Sequence, residues 1–151
     1  MLKQGTLISP KRRPKLIGTT LTAMHIEKGG VAHVVHVGDT RVYVLRRGRL
    51  QQLTTDHALE KQNNVLTQWA GSPDGIKPEV KTHTAQDGDV FLLSTDGLHK
   101  QVEDSEIKSV LAECAEGRIS AHGAARQLVK MANAAGGKDN ATAIVVRVKH
   151  T

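Results

Sequence analysis

The chain has 151 residues, 38% hydrophobic and 24% charged, the size and composition of one globular domain with a single core. Its lone cysteine, Cys114, excludes an intrachain disulfide. No leader-like segment opens it and no apolar run is long enough to span a bilayer, so a cytoplasmic protein without a membrane partner is expected.

Residues 1–15 are polar and basic, with Lys11, Arg12, Arg13 and Lys15 beside Pro10 and Pro14, and read as a basic lead-in to a domain over 16–151. They carry part of the net charge of +6, and Arg46, Arg47 and Arg49 carry more. Such charge attracts phosphate groups. No aromatic stacking platform or base-reading motif accompanies it, so a solvated lead-in and a charged hairpin tip account for it and nucleic acid is not expected. Aromatics are only 2% of the chain, so the core must rest on Val, Leu, Ile and Ala.

Thr19 to Ile26 reads as a strand, Lys28-Gly29-Gly30 as a turn, and Val31 to Val37 as a second strand broken by Gly38-Asp39. Thr40 to Leu45 and Arg49 to Leu53 flank an Arg46-Arg47-Gly48 hairpin tip, which together suggest an antiparallel meander. Residues 54–79 are irregular. Val80 to Ala85 and Val90 to Ser94 read as strands, the second apolar enough to be central. A helix follows over Asp104 to Ala115, with Ile107, Val110, Leu111 and Cys114 on one face, ended by Gly117. A second helix has Ser120 as N-cap, carries Ala121, Ala125, Leu128, Val129 and Ala132 at helical spacing, and closes at Gly136. Ala141 to Val148 is the last strand. The result is an α+β fold, an antiparallel sheet with two helices on one face.

Three aspartates stand at strand ends beside glycines: Asp39 after Gly38, Asp96 before Gly97, and Asp139 after Gly136-Gly137. If the last strand runs antiparallel to the Val90 strand, all three fall on one edge of the sheet. Clustered carboxylates repel unless a cation lies between them. Oxygen ligands suit Mg²⁺ or Mn²⁺, and no Cys/His spacing suggests zinc. Any one of these Asp-Gly pairs alone would pass as an ordinary turn. His33 and His36 alternate on a strand, so one faces the core and the other solvent, and His57 reads as structural. Cys114 lies on an apolar helix face and reads as core.

Longer motifs surround these aspartates. His33 to Tyr43 resembles AHVGDSRAY, and Gly48 to His57 resembles G-x-L-x-x-L-T-x-D-H. Asn64 to Thr67 reads N-V-L-T, Gly88 to Leu98 resembles G-D-x-x-L-L-C-S-D-G-L, and Gly136 to Thr142 resembles G-G-x-D-N-x-T. Gly18 to Leu21 reads G-T-T-L. In this order they resemble the type-2C (PPM) family of metal-dependent protein serine/threonine phosphatases, over about residues 16–148. The resemblance implies part of the family's α-β-β-α sandwich, with Asp96 and Asp139 as ligands of a binuclear Mn²⁺ or Mg²⁺ centre. It implies Asp39 as ligand of a further metal, and Arg41 and Asn140 as supporting residues beside Gly38 and Gly97. The implied activity is attack of a metal-held water on phosphoserine or phosphothreonine in a protein, with no side-chain nucleophile.

The sequence departs from that family pattern in two ways. The family's opening motifs, with a phosphate-gripping arginine and a bridging aspartate, have no counterpart, and residues 1–17 contain no Asp or Glu. The segment Ala58 to Asn63 is also too short for the family's flap. One sheet and one helical layer are then expected to lack partners, which favours a homodimer or a complementing chain. Two functions compete: hydrolysis of phosphoproteins, and a non-catalytic phosphatase-like module that binds a protein partner.

Overall fold

The computed structural model describes residues 17–59 and 62–149. The expected lead-in over 1–15 lies outside the described residues. In chain order the elements are β1 (Leu21–Ile26), β2 (Val31–Val37), β3 (Arg41–Arg46), β4 (Arg49–Gln52), β5 (Ala58–Leu59), β6 (Gln62–Leu66), β7 (Glu79–Thr84) and β8 (Val90–Ser94). The helices α1 (Asp96–His99), α2 (Asp104–Ala115) and α3 (Ala121–Ala134) follow, and β9 (Ala143–Arg147) closes the order.

The strands form two main antiparallel sheets, β1-β2-β7 and β4-β3-β8-β9, and β5 pairs with β6 as a small ribbon. The stretch that reads as one meander is therefore divided between sheets. β2 pairs with β1 and β7, and β3 pairs with β4 and β8. The reason lies in burial. β3 is covered on both faces, with Val42, Tyr43, Val44 and Leu45 all buried, as only a strand between two layers can be. Consecutive strands usually pair, so the sequence pattern alone favours the simpler meander. The irregular stretch contains the β5-β6 ribbon, and Thr19 bridges to Ala70 through two backbone hydrogen bonds of 3.0 and 2.8 Å. The β3-β4 hairpin turns on Arg47 (φ 48°) and Gly48 (φ 73°), the paired positive angles that suit the twist of a two-residue turn.

Two apolar layers result. Ala32, Val34, Val42, Val44 and Phe91 fill the space between the sheets. Tyr43, Leu45, Val90 and Leu92 on the other face of β3 and β8 pack against Ile107, Leu111, Cys114 and Leu128 of the helices. α2 buries the four residues its spacing indicates, Ile107, Val110, Leu111 and Cys114. It begins in a capping box, with the Glu103 amide donating to Glu106 Oε2 at 3.1 Å. α3 starts at Ser120, whose Oγ accepts from the Gly123 amide at 3.0 Å. Its buried stripe runs through Ala124, Leu128 and Ala132, with Ala121 and Val129 at the margin. Alanines lie on both sides of that stripe, so periodicity leaves its exact centre open.

Among the described residues, helices cover only the four-stranded sheet. The outward face of β1-β2-β7 carries Leu21, Val35 and Val80, which are 56%, 37% and 65% exposed. Among the same residues, no helix is long and apolar enough to cross a membrane.

Candidate functional site

The first loop of the candidate site joins the two sheets. β2 ends in Gly38, whose φ of 112° is open to glycine and costly for other residues. A Cβ there would stand 2.4 Å from Thr20 Cγ2, so the loop also packs too tightly for a side chain. His57 staples it in place. The Gly38 amide donates to His57 Nδ1 at 3.2 Å, and the His57 amide donates to the Gly38 carbonyl at 2.7 Å. Thr40 Oγ1 donates to Thr20 Oγ1 at 2.7 Å. Asp39 is thereby held with its side chain only 12% exposed. His36 is buried, with Nδ1 2.8 Å from Thr22 Oγ1, whereas His33 points outward and pairs with Glu27. Burial first, then the neighbouring His57, keeps the His36 pKa below its ordinary value.

The second and third loops meet each other. β8 and β9 run antiparallel, with Ser94 opposite Ala143, which brings Asp96 and Asp139 to the same end. Thr95 clamps the two segments. Its amide donates to the Thr142 carbonyl at 3.2 Å, and its Oγ1 accepts from the Thr142 amide at 2.9 Å. Gly97 lies directly under the Asn140 peptide, where a Cβ would come within 2.4 Å of the Asn140 carbonyl oxygen. Asp139 is exposed, and its Oδ1 accepts from the Asn140 amide at 2.7 Å.

Lys100 connects the first loop to the second. Its Nζ donates to Asp96 Oδ2 at 2.8 Å and reaches Asp39 Oδ2 at 3.5 Å. Burial alone would raise the Asp96 carboxyl, but the hydrogen bond and charge of Lys100 outweigh it and hold the group below the usual carboxylate range. Burial pulls the Lys100 ammonium the other way, and Asp96 with Asp39 more than restores it.

Arg41 is spent within the fold. Its Nε and Nη2 grip both Asp56 oxygens at 2.8–3.1 Å, and Nη1 donates to Tyr43 Oη at 2.9 Å. His99 is buried behind it, with Nδ1 3.2 Å from Ser94 Oγ. Burial, then the Arg41 charge, lowers the His99 pKa to about 4. His99 is thus a neutral group beneath the site. His83 accepts from Arg46 Nη2 at 3.0 Å, in a cluster with Asp89 at the opposite end of β8 from Asp96.

The oxygen donors are of the kind that hard cations prefer. Their arrangement does not fit a metal centre, however. Among the described residues, no three His, Cys, Asp or Glu side chains converge to hold an ion. Asp39 and Asp96 already share a cation, the Lys100 ammonium, and the Asp139 carboxylate is turned to its neighbour's amide. Sequence reasoning singled out the aspartates and missed Lys100. The available signal was its position four residues after Asp96, a spacing that brings opposite charges together on a helical turn.

Residues 4–133 match the family model for protein phosphatase 2C. Protein phosphatase PhpP of Streptococcus pneumoniae is 32% identical over 147 residues, which span 86% of this chain and 58% of PhpP. The solved structure of PppA, a regulatory component of the T6SS in Pseudomonas aeruginosa, superposes with a TM-score of 0.79 at 33% identity, covering 87% of this chain and 57% of PppA. The catalytic domain of the phosphatase PstP in complex with two manganese ions superposes with a TM-score of 0.74 at 32% identity, over 88% of this chain and 60% of PstP's. The chain thus spans less than two thirds of the length of each of these relatives. The family match covers most of the sequence and the fold agrees with it: the chain belongs to the protein phosphatase 2C family.

Proposed function

We propose that this chain serves the hydrolysis of phosphoserine and phosphothreonine in proteins, as the bearer of the Asp39, Asp96 and Asp139 end of a family-type site. The observation that carries this reading is the convergence of three loops at one end of the sandwich, closed by the contact of Gly97 with the Asn140 peptide. Asp96 and Asp139 would be the principal metal-binding carboxylates and Asp39 an additional one. Gly38, Arg41, Gly97 and Asn140 would hold them in position, and Mn²⁺ or Mg²⁺ would be the cation. A divalent pair supplies an activated water and neutralises phosphoryl charge. The carboxylates of this chain by itself do not form such a centre, so no hydrolytic step is assigned to them alone. A bridging carboxylate and a phosphate-gripping arginine would come from a complementing chain or a second copy. The substrate would be a phosphorylated protein, and the single buried Cys114 accords with a reducing, cytoplasmic setting.

A second reading, a phosphatase-like module that binds a phosphorylated partner without turnover, is favoured by one observation. The ammonium of Lys100 stands where the Asp39–Asp96 pair would need a metal. Hydrolysis of p-nitrophenyl phosphate and of a phosphothreonine peptide, with and without Mn²⁺, separates the two. Metal-dependent turnover that vanishes in Asp96→Asn and Asp139→Asn supports the enzyme. Binding of the phosphopeptide with no turnover above those variants supports the module and refutes hydrolysis by this chain.

A further inference from the structure

We infer that Lys100 is the built-in cation of the Asp39–Asp96 pair and that it keeps divalent ions out of that pair. The inference concerns this chain by itself and rests on the second reading of its site, in which the Lys100 ammonium stands in place of a metal. Lys100 caps the C-terminus of α1, one turn beyond Asp96, so the short helix itself aims the ammonium at the Asp96 carboxylate 2.8 Å away. Asp39 comes from the loop between the two sheets, and its Oδ2 lies 3.5 Å from the same nitrogen. Two carboxylates held this near one another need a positive charge between them. An ammonium with three donors meets that need as a compact point charge.

A divalent ion cannot simply join it. To reach both Oδ2 atoms the ion must take the space that Nζ fills, and beside an ammonium it would meet like-charge repulsion. The competition is also uneven. Lys100 is covalently tethered, so its effective concentration at the pair is set by the chain rather than by the solution. A free ion must displace it and shed bound water as well. The side chains of Asp39 and Lys100 are 12% and 32% exposed, which leaves the attraction only partly screened by salt. The pair is therefore satisfied without metal.

The test is a Mn²⁺ titration of the whole chain, followed by the electron paramagnetic resonance signal of the free ion. Lys100→Met and Lys100→Gln are compared with the unaltered protein, and circular dichroism checks each fold. Removing the ammonium should tighten Mn²⁺ binding by about tenfold or more, and adding Asp39→Asn to Lys100→Met should abolish the gain. Equal Mn²⁺ affinity with and without Lys100 overturns the inference, as does a gain that survives Asp39→Asn. A second arm needs no Lys100 variant. Excess Mn²⁺ followed by EDTA should leave the melting temperature of the unaltered protein unchanged. An EDTA-reversible rise that disappears in Asp39→Asn would show the pair open to metal and sink the idea.

Discussion

Replacing Gly97 by alanine tests whether the Asp96 and Asp139 loops are as closely apposed as the structure has them. Gly97 lies within α1 and has no positive φ, so helix propensity alone would favour alanine by about 1 kcal/mol. Space opposes it. The new Cβ would lie 2.4 Å from the Asn140 carbonyl oxygen, 2.8 Å from the Asn140 carbonyl carbon and 3.2 Å from that of Asp139. All three are backbone atoms, so no side chain can swing aside. The segment is also pinned on Thr95 by hydrogen bonds of 3.2 and 2.9 Å at Thr142. Overpacking of this kind costs about 1–3 kcal/mol, and yielding one of those bonds adds about 1 kcal/mol. Against the propensity gain, a net loss of about 2 kcal/mol remains, a fall in melting temperature of about 4–8 °C for a domain of this size. Thermal unfolding by circular dichroism reads it directly. Gly29→Ala is the control, since its Cβ meets nothing within 4 Å, and it should stay within about 1 kcal/mol of the original. A Gly97→Ala protein as stable as the original, or a Gly29→Ala protein that falls as far, would refute the close approach.

Three further outcomes can be checked. Asp89 is almost fully buried and takes bonds of 2.8 and 2.6 Å from Arg46 and 2.8 Å from the Gln86 amide, so Asp89→Asn should lower stability by about 3 kcal/mol in urea unfolding. Burial would raise the Asp89 carboxyl, but Arg46 and the amide outweigh it, so its pKa is depressed. Its contribution is then present above the unfolded carboxylate pKa and lost as pH falls through the lower folded value, and Asp89→Asn should flatten that acid limb. His99 titrates near 4 in the fold against 6.5 when free, so the unfolded chain takes the proton first. Stability should fall by roughly 3 kcal/mol as pH drops between those values, and an unchanged slope in His99→Gln would contradict it. Ser120→Ala removes the N-cap of α3 and should cost about 1 kcal/mol in the same urea assay.

The sequence by itself determined the longer elements and their edges, but not the β5-β6 ribbon or the single turn of α1. Strand composition and Gly-Asp breaks place β1, β2, β3, β8 and β9 to within two residues, because pleated half-buried strands and tight turns demand particular residue types. The helix over Asp104–Ala115 and its buried face follow from spacing, and the N-cap at Ser120 from its chemistry. The motifs around Gly38, Asp96 and Asp139 identify the family from local strings alone. Only the tertiary structure decided that β2 and β3 lie in different sheets, since the apolar run Val42 to Leu45 signals burial on both faces but does not say which strands β3 pairs with. Only it brought Arg46 to Asp89 across 43 positions and Arg41 to Asp56 across 15. The same holds at the candidate site. The aspartates are legible because each sits in its own motif, whereas the contact of Lys100 with Asp39 joins residues 61 positions apart. Sequence periodicity reaches only a few residues along an element, and the pairing of distant charges depends on how two sheets and a helical turn come to rest against each other.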